Sequence, residues 1–591
     1  MDLQQPTSAV DSEGESDDLS EQMSEDYDDE DDSSSGYSKE EEYTSPPQFT
    51  LSSLTETGKE ESTIPVLKQR SYTGRKPVIP CALADTPCAD LGVEGVLEKL
   101  NTTLGTSYAL DYVVSILDSY VAQNSNFGTA YAYLRPYWCD IPTMEQNLCA
   151  NEEEDRKMRR KVLIDGRITK RDVPPRRVWD LCANRVVPYW VASTSPWGIS
   201  HAWVDDRDRM NVMTPINGYE WPVPMPKDAD LDLIRIEMLN SYPESFDTVL
   251  ETFHDAYAWL DILCLRQDGG RGEHLRMDEW KLDVPTIGEV YETYHPVVCY
   301  FSGLGRPLNF TLDDLKSDQC WFRHAWTLQE ITEEVIIGGE TGNDIMDREV
   351  RRRFDEQLTS LREMKASLRL LDFVFEMQNR ISTKPLDRVA GLAYLLRTKS
   401  IPIYDARQSE ADAWEALMHT MAPSFRAQLL FFYPMPGDGR KCWRPSWQQL
   451  MMNKIIVPLC PMPQWIPGVY RMEDTDSDWY EGYHIDSADA RGLSEVPAGK
   501  MHRQGELDFK DAYGAPHTLK IVADHAYPIP DGLYTVIACK DWWTTQIYGW
   551  VVGWRRKDGN FEKLSVFRSA DDEKVSLEEL GIVDSVKIVL C

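Results

Sequence analysis

The chain has 591 residues, 42% of them hydrophobic and 10% aromatic, which is enough for packed interiors and too long for one ordinary core, so two to four domains are expected. Its net charge is -36, and residues 1–61 carry half of it because 20 Asp or Glu there face only Lys39 and Lys59; such acidity excludes general nucleic-acid binding and disfavours anionic membranes. The 12 cysteines show no CxxC pair and no short Cys/His spacing, and no apolar stretch of about 18 residues or secretory leader occurs, so the expectation is a cytoplasmic protein with reduced thiols, no metal, no resident cofactor and no membrane span.

Residues 1–75 read as an acidic disordered tail, since runs such as "SEDYDDEDDSSSGYSKEEE" cannot bury enough apolar surface to offset the entropy of ordering. Residues 76–187 read as a helical region that ends in a basic, solvated linker, "RKMRRKVLIDGRITKRDVPPRR" (156–177). From Pro188 short apolar runs alternate with amphipathic ones, the pattern of an α/β layer. "GISHAWV" (198–204) is expected as a strand and "DLDLIRIEML" (230–239) as a helix with Leu231, Ile234 and Met238 on its buried stripe. "YAWLDILCL" (257–265) is expected as a strand buried on both faces of a mostly parallel sheet.

A further helix is expected over 282–295, a strand with a glycine turn over 296–305, a helix over 321–332 and a strand over 333–339. Residues 346–435 read as a helical subdomain and 436–591 as a β-rich domain, with "KDGN" (557–560) as a hairpin turn.

Chemistry concentrates in two places. The apolar run at 257–265 admits one charge, Asp261, then opens into Arg266, Gln267, Asp268, two glycines and Glu273, at the carboxyl end where open α/β sheets take ligands. In "WFRHAWTLQE" (321–330) a continuous helix would put Phe322, Trp326 and Glu330 on one face, setting the carboxylate beside an indole and raising its pKa. A glutamate so placed suits the stabilisation of a developing cation in glycosidic cleavage; a pairing of Glu330 with Arg323 is the structural alternative. Cys264 reads as a small buried hydrophobe and His324 as a surface or interface residue.

"GISHAWV", "YAWLDILCLRQDGGRGE" and "DQCWFRHAWTLQEI" resemble, in order and spacing, the three signature blocks of the fungal heterokaryon-incompatibility (HET) domain, and the resemblance extends over about 188–447 with a basidiomycete-type pattern. The family's residues fall on Ser200 and Trp203, on Trp259, Asp261, Cys264 and Gln267, and on Arg323, Trp326, Gln329 and Glu330. His201 stands where the family has a tyrosine, Val204 where it has a glycine, and "SYPESFDTVLETFHDA" (241–256) is additional sequence expected as an extra helix.

HET domains are in turn similar to Toll/interleukin-1 receptor (TIR) domains, so the resemblance implies a TIR-like core at 188–345. It also implies fungal non-self recognition and cell-death signalling by self-association or partner binding. A second class also follows from the TIR similarity: an NAD glycohydrolase in which Glu330 is catalytic and Ser200, Trp203, Asp261, Gln267, Asp268, Glu273, Arg323 and Trp326 hold NAD as substrate.

Overall fold

The computed structural model describes residues 48–591 except 193, 243–255, 293–294, 343–345, 368, 454–467, 473–474, 496–501, 541–546, 571–576, 578–580 and 583–585. The acidic tail up to residue 47 and most of the 241–256 segment, expected as an extra helix, therefore lie outside the described residues.

The chain is a mixed α/β protein organised on a six-stranded sheet. Its strands are β1 (Arg177–Asp180), β2 (Arg185–Pro188), β3 (Trp197–His201), β4 (Tyr257–Trp259), β5 (Val297–Tyr300) and β6 (Val335–Ile337), lying side by side in the order β6-β5-β3-β4-β1-β2. The four strands β6, β5, β3 and β4 are parallel, while β1 runs antiparallel to β4 and forms a hairpin with β2. From β3 the chain adds β4 on one side and then crosses to add β5 on the other, which makes the carboxyl end of β3 a topological switch point.

Several expectations need correction. Within 188–345 the four strands are parallel as expected, but the sheet as a whole is mixed, because it begins with an antiparallel hairpin at Arg177 rather than at Pro188. The basic segment is exposed over much of its length, but several of its arginines are bonded into the fold. Arg159 is buried and donates to the Pro174 and Pro175 carbonyls (3.1 and 3.2 Å), Arg176 clamps Asp283 through two bonds (2.7 and 3.0 Å), and Arg177 pairs with Glu279 at 2.7 Å. The Arg176 and Arg177 guanidiniums are attached to the fold by carboxylates more than 100 residues away, which local charge density cannot reveal.

Residues 48–75, expected within the tail, fold as a hairpin of Phe49–Ser52 against Ser71–Gly74. They cover the helix Leu231–Ser241, which is buried almost all round instead of on one stripe. Gln69 donates to buried Glu237 at 2.7 Å, and Asn240 donates to the Lys68 and Ser71 carbonyls (2.7 and 2.8 Å), so the segment gains its order from that helix.

The strand expected over 257–265 stops at Trp259, and Asp261–Cys264 is a single helical turn. Helices Glu273–Asp283 and Ile287–Tyr291 replace the single helix expected over 282–295. Tyr291 packs against β3, where a Cβ on Gly198 would come within 2.8 Å of its ring, and its hydroxyl donates to the Ile199 carbonyl at 3.1 Å.

Helices Arg348–Ser367, Leu370–Gln378, Leu386–Ala393, Glu410–Thr420 and Pro423–Phe432 form a helical layer. Beyond it, β7 (His484–Arg491), β8 (Arg503–Lys510), β9 (Pro516–Ala523), β10 (Gly532–Lys540), β11 (Ile547–Arg555) and β12 (Phe561–Ser569) pair antiparallel in the order β12-β9-β8-β7-β10-β11, and β11 pairs back onto β12. That closure makes a six-stranded barrel, in which each of these strands has a partner on both sides. The β11–β12 turn falls on 557–560, with Gly559 at φ 86°. Among the described residues no helix is long and apolar enough to cross a membrane.

Candidate functional site

The site is assembled at the carboxyl ends of the parallel strands. The last two residues of β3, Ser200 and His201, are both buried and make different bonds. The Ser200 hydroxyl donates to Glu330 Oε2 at 2.5 Å and accepts from the Trp321 indole N–H at 2.8 Å. His201 Nε2 lies 2.9 Å from Asp261 Oδ1, which also accepts from the Ile262 N–H at 2.7 Å. One strand end thus joins the three motif-bearing segments, which are separated by as many as 130 residues.

Glu330 reaches this position because 321–330 is not a continuous helix. Trp321–Arg323 is a 3-10 turn, His324–Trp326 breaks away, and Thr327–Glu330 is a separate helical turn. The break has a tertiary cause: Ala325 N–H bonds the Ile381 carbonyl at 2.9 Å instead of continuing a helical ladder. Arg380 holds the kink by donating to the His324 carbonyl (2.7 Å) and to Thr327 Oγ1 (2.8 Å). Beyond it, Lys365 Nζ donates to the Gln329 and Ile331 carbonyls (3.1 and 2.6 Å), gripping the backbone on both sides of Glu330.

Glu330 is 9% exposed. Burial pushes its carboxyl up to about 7 and the nearby charge of Asp261 adds to the rise, while the Ser200 hydrogen bond and the positive charges of His201 and Arg380 restrain it. Burial acts against the His201 imidazolium, but the Asp261 and Glu330 carboxylates outweigh it and raise His201 above the usual imidazole range. Arg380 is lowered to about 10 and Lys365 to about 8, both chiefly by burial. The result is two carboxyls and one imidazole in electrostatic contact, with Glu330 balanced between its two protonation states near neutral pH.

Six sealed polar atoms lie on the same short segment and on the arginine that clamps it: Arg323 Nε, His324 Nε2, both side-chain polar atoms of Gln329, and Arg380 Nε and Nη2, none with a partner among the described residues. Gln329 is 2% exposed and Arg380 1%. Buried polar atoms are ordinarily paired, so this concentration marks a place where water or a polar ligand would be held.

No protein-family model, curated protein or solved structure matches this chain.

Of the residues singled out from sequence, Ser200, Asp261 and Glu330 meet in the cluster. Trp203 stands at its edge, half-buried, with its ring 5.6 Å from His201 and the Arg209 guanidinium 5.5 Å from the ring. The others do not converge on the carboxylate. Gln267 turns back to donate to the Asp261 and Leu265 carbonyls (3.2 and 2.9 Å) and secures the turn. Asp268 and Glu273 both bind Arg276, at 3.2 and 2.7 Å, and Glu273 also accepts from the Gly269 N–H.

Arg323 bonds the Lys316 carbonyl and pairs with Asp318 at 3.3 Å rather than with Glu330. Trp326 packs 6.3 Å from Tyr404 and reaches Asp387; the indole that serves the Glu330 cluster belongs to Trp321, because the kink removes the helical spacing. Gly270 does more than turn the chain, since a Cβ there would lie 2.1 Å from the Glu220 carbonyl oxygen. Cys264 is buried, and burial pushes its thiol up to about 12, against a nucleophilic role.

Trp321, His201, Lys365 and Arg380 were not singled out as site residues. His201 was visible as a departure inside the first block, and Trp321 as one of two indoles in the third. Lys365 and Arg380 carried no local signal, since they reach the site from the helical layer.

Proposed function

We propose that this chain is a HET-type protein of fungal non-self recognition and cell-death signalling, whose TIR-like α/β domain works by self-association or by binding a protein partner. The observation that carries the reading is the junction of Ser200, Asp261 and Glu330, one from each of the three resembling blocks, at the switch point of the sheet. The order of its four parallel strands agrees with doubly wound α/β folds. In this reading the cluster ties β3, the Asp261 turn and the 321–330 segment into one unit, so that a partner acting on any of them is felt by the others. Expression of the full chain in fungal cells tests it: wild type arrests growth and Glu330→Ala does not. Absence of toxicity from the wild type, or equal toxicity from both, defeats the proposal.

The elevated Glu330 pKa and the unpartnered atoms of Gln329, His324 and Arg380 favour a second reading, NAD glycohydrolysis. The bond from nicotinamide nitrogen to the ribose carbon breaks, water adds to that carbon and gives up a proton, and ionised Glu330 stabilises the oxocarbenium-like charge between the two events. Nicotinamide release from NAD by the purified full chain, abolished in Glu330→Gln, is the expected result. Growth arrest without NAD turnover leaves only the signalling module.

A further inference from the structure

A serine hydroxyl can donate one hydrogen bond and accept others, whereas an indole N–H can only donate. This asymmetry gives the Trp321–Ser200–Glu330 chain a direction. Trp321 is fully buried and its N–H points at Ser200 Oγ at 2.8 Å, so Ser200 cannot turn its own proton toward the indole. The neighbouring thiol across the ladder, Cys299, also hydrogen-bonds Ser200, but burial raises it and it stays a thiol, a weaker acceptor of the serine proton than a carboxylate. That proton is therefore committed to Glu330 Oε2, 2.5 Å away. Glu330 Oε1 has no hydrogen-bond partner among the described residues, although the residue keeps 9% of its surface exposed.

We propose that Trp321 is a positioning residue that acts through Ser200: by donating to the serine oxygen it strengthens the bond Ser200 donates to Glu330, ties down Oε2, and leaves Oε1 as the oxygen that meets a ligand. The proposal rests on Glu330 being the functional acid of the cluster but on neither of its suggested activities, and its test needs no turnover. Trp326, the indole that sequence spacing favours, has no part in it.

The mechanism gives a signed expectation. Without the indole donor, the Ser200 O–H is less polarised and donates a weaker bond to ionised Glu330. The carboxylate loses, and its titration midpoint rises by roughly half a pH unit.

The midpoint can be read in the full chain from the carboxyl C=O stretch that disappears in difference infrared spectra against Glu330→Gln. Expected are a rise in Trp321→Phe, a rise in Ser200→Ala, and no further rise when Trp321→Phe is added to Ser200→Ala. Benzothienylalanine at position 321 keeps the bicyclic shape and lacks the N–H, so it should reproduce the rise even if the Phe variant fails to fold; Ser200→Thr, which keeps a hydroxyl, should restore a wild-type midpoint. An unchanged midpoint with benzothienylalanine overturns the proposal. So does a Trp321 effect that persists in the Ser200→Ala background, since the indole would then act by packing alone. Toxicity or NAD turnover can fail independently of either result.

Discussion

The C-terminal barrel and the Glu330 cluster are both built around buried tryptophan, and they use it in opposite ways. In the barrel, Trp550 lies among Ile485, Leu507, Ile521, Val536 and Val552, with its indole nitrogen 3.1 Å from Ser569 Oγ at the margin of that apolar interior. In the cluster, Trp321 spends its N–H on a serine that holds an acid, and the surrounding segment contains sealed polar atoms with no partner among the described residues. An apolar interior of this kind stabilises a fold; a buried cluster of titratable groups works against stability and is characteristic of a site. The barrel supports the molecule, whereas the cluster carries the features expected of a site.

The largest effect should come from the supporting region. Trp550→Ala is expected to cost about 3–5 kcal/mol in denaturant unfolding through lost burial and the cavity left behind, without moving the Glu330 midpoint. A shift in that midpoint would show that the two regions are coupled.

Glu330→Gln should act in the other direction. The folded carboxyl titrates at about 7, above its unfolded value, so Glu330 favours folding fully only below the unfolded pKa, and that contribution is lost as pH rises through 7. The variant is therefore expected to be more stable than wild type at pH 8, on the order of 2 kcal/mol, with the difference closing below pH 5. Thermal unfolding across pH measures this, and a variant equally stable at both ends would show that burial does not penalise the carboxylate.

The smallest effect should follow Asp268→Asn. Its exposed pair with Arg276 is worth less than about 1 kcal/mol, and neither stability nor the Glu330 midpoint should move measurably. A large loss of function there would return the 266–270 turn to the site.

Much of the fold was readable because local rules suffice for it. β3, β5 and β6, the long helix from Arg348 and the 557–560 turn follow from apolar runs, periodicity and turn chemistry. The expectation failed where distant residues compete for backbone groups. Ile381 captures the Ala325 N–H and so breaks the helix that would have carried Trp326 to Glu330. Residues 48–75 are polar enough to resemble the tail, yet they order because the helix at 231–241 needs covering on its outer face.

By itself, the sequence determined that strand ends and an aromatic, acid-tipped segment carry the polar chemistry, since residue type and spacing record which groups are present and which local elements bear them. Tertiary structure alone decided that Ser200, not an arginine, holds Glu330, that Trp321 rather than Trp326 stands behind it, and that Arg380 and Lys365 brace its backbone. The reason is physical: a hydrogen bond's partner and direction, and the desolvation that lifts a carboxyl toward neutrality, depend on which residues close over it, and these come from segments 35 to 130 residues away.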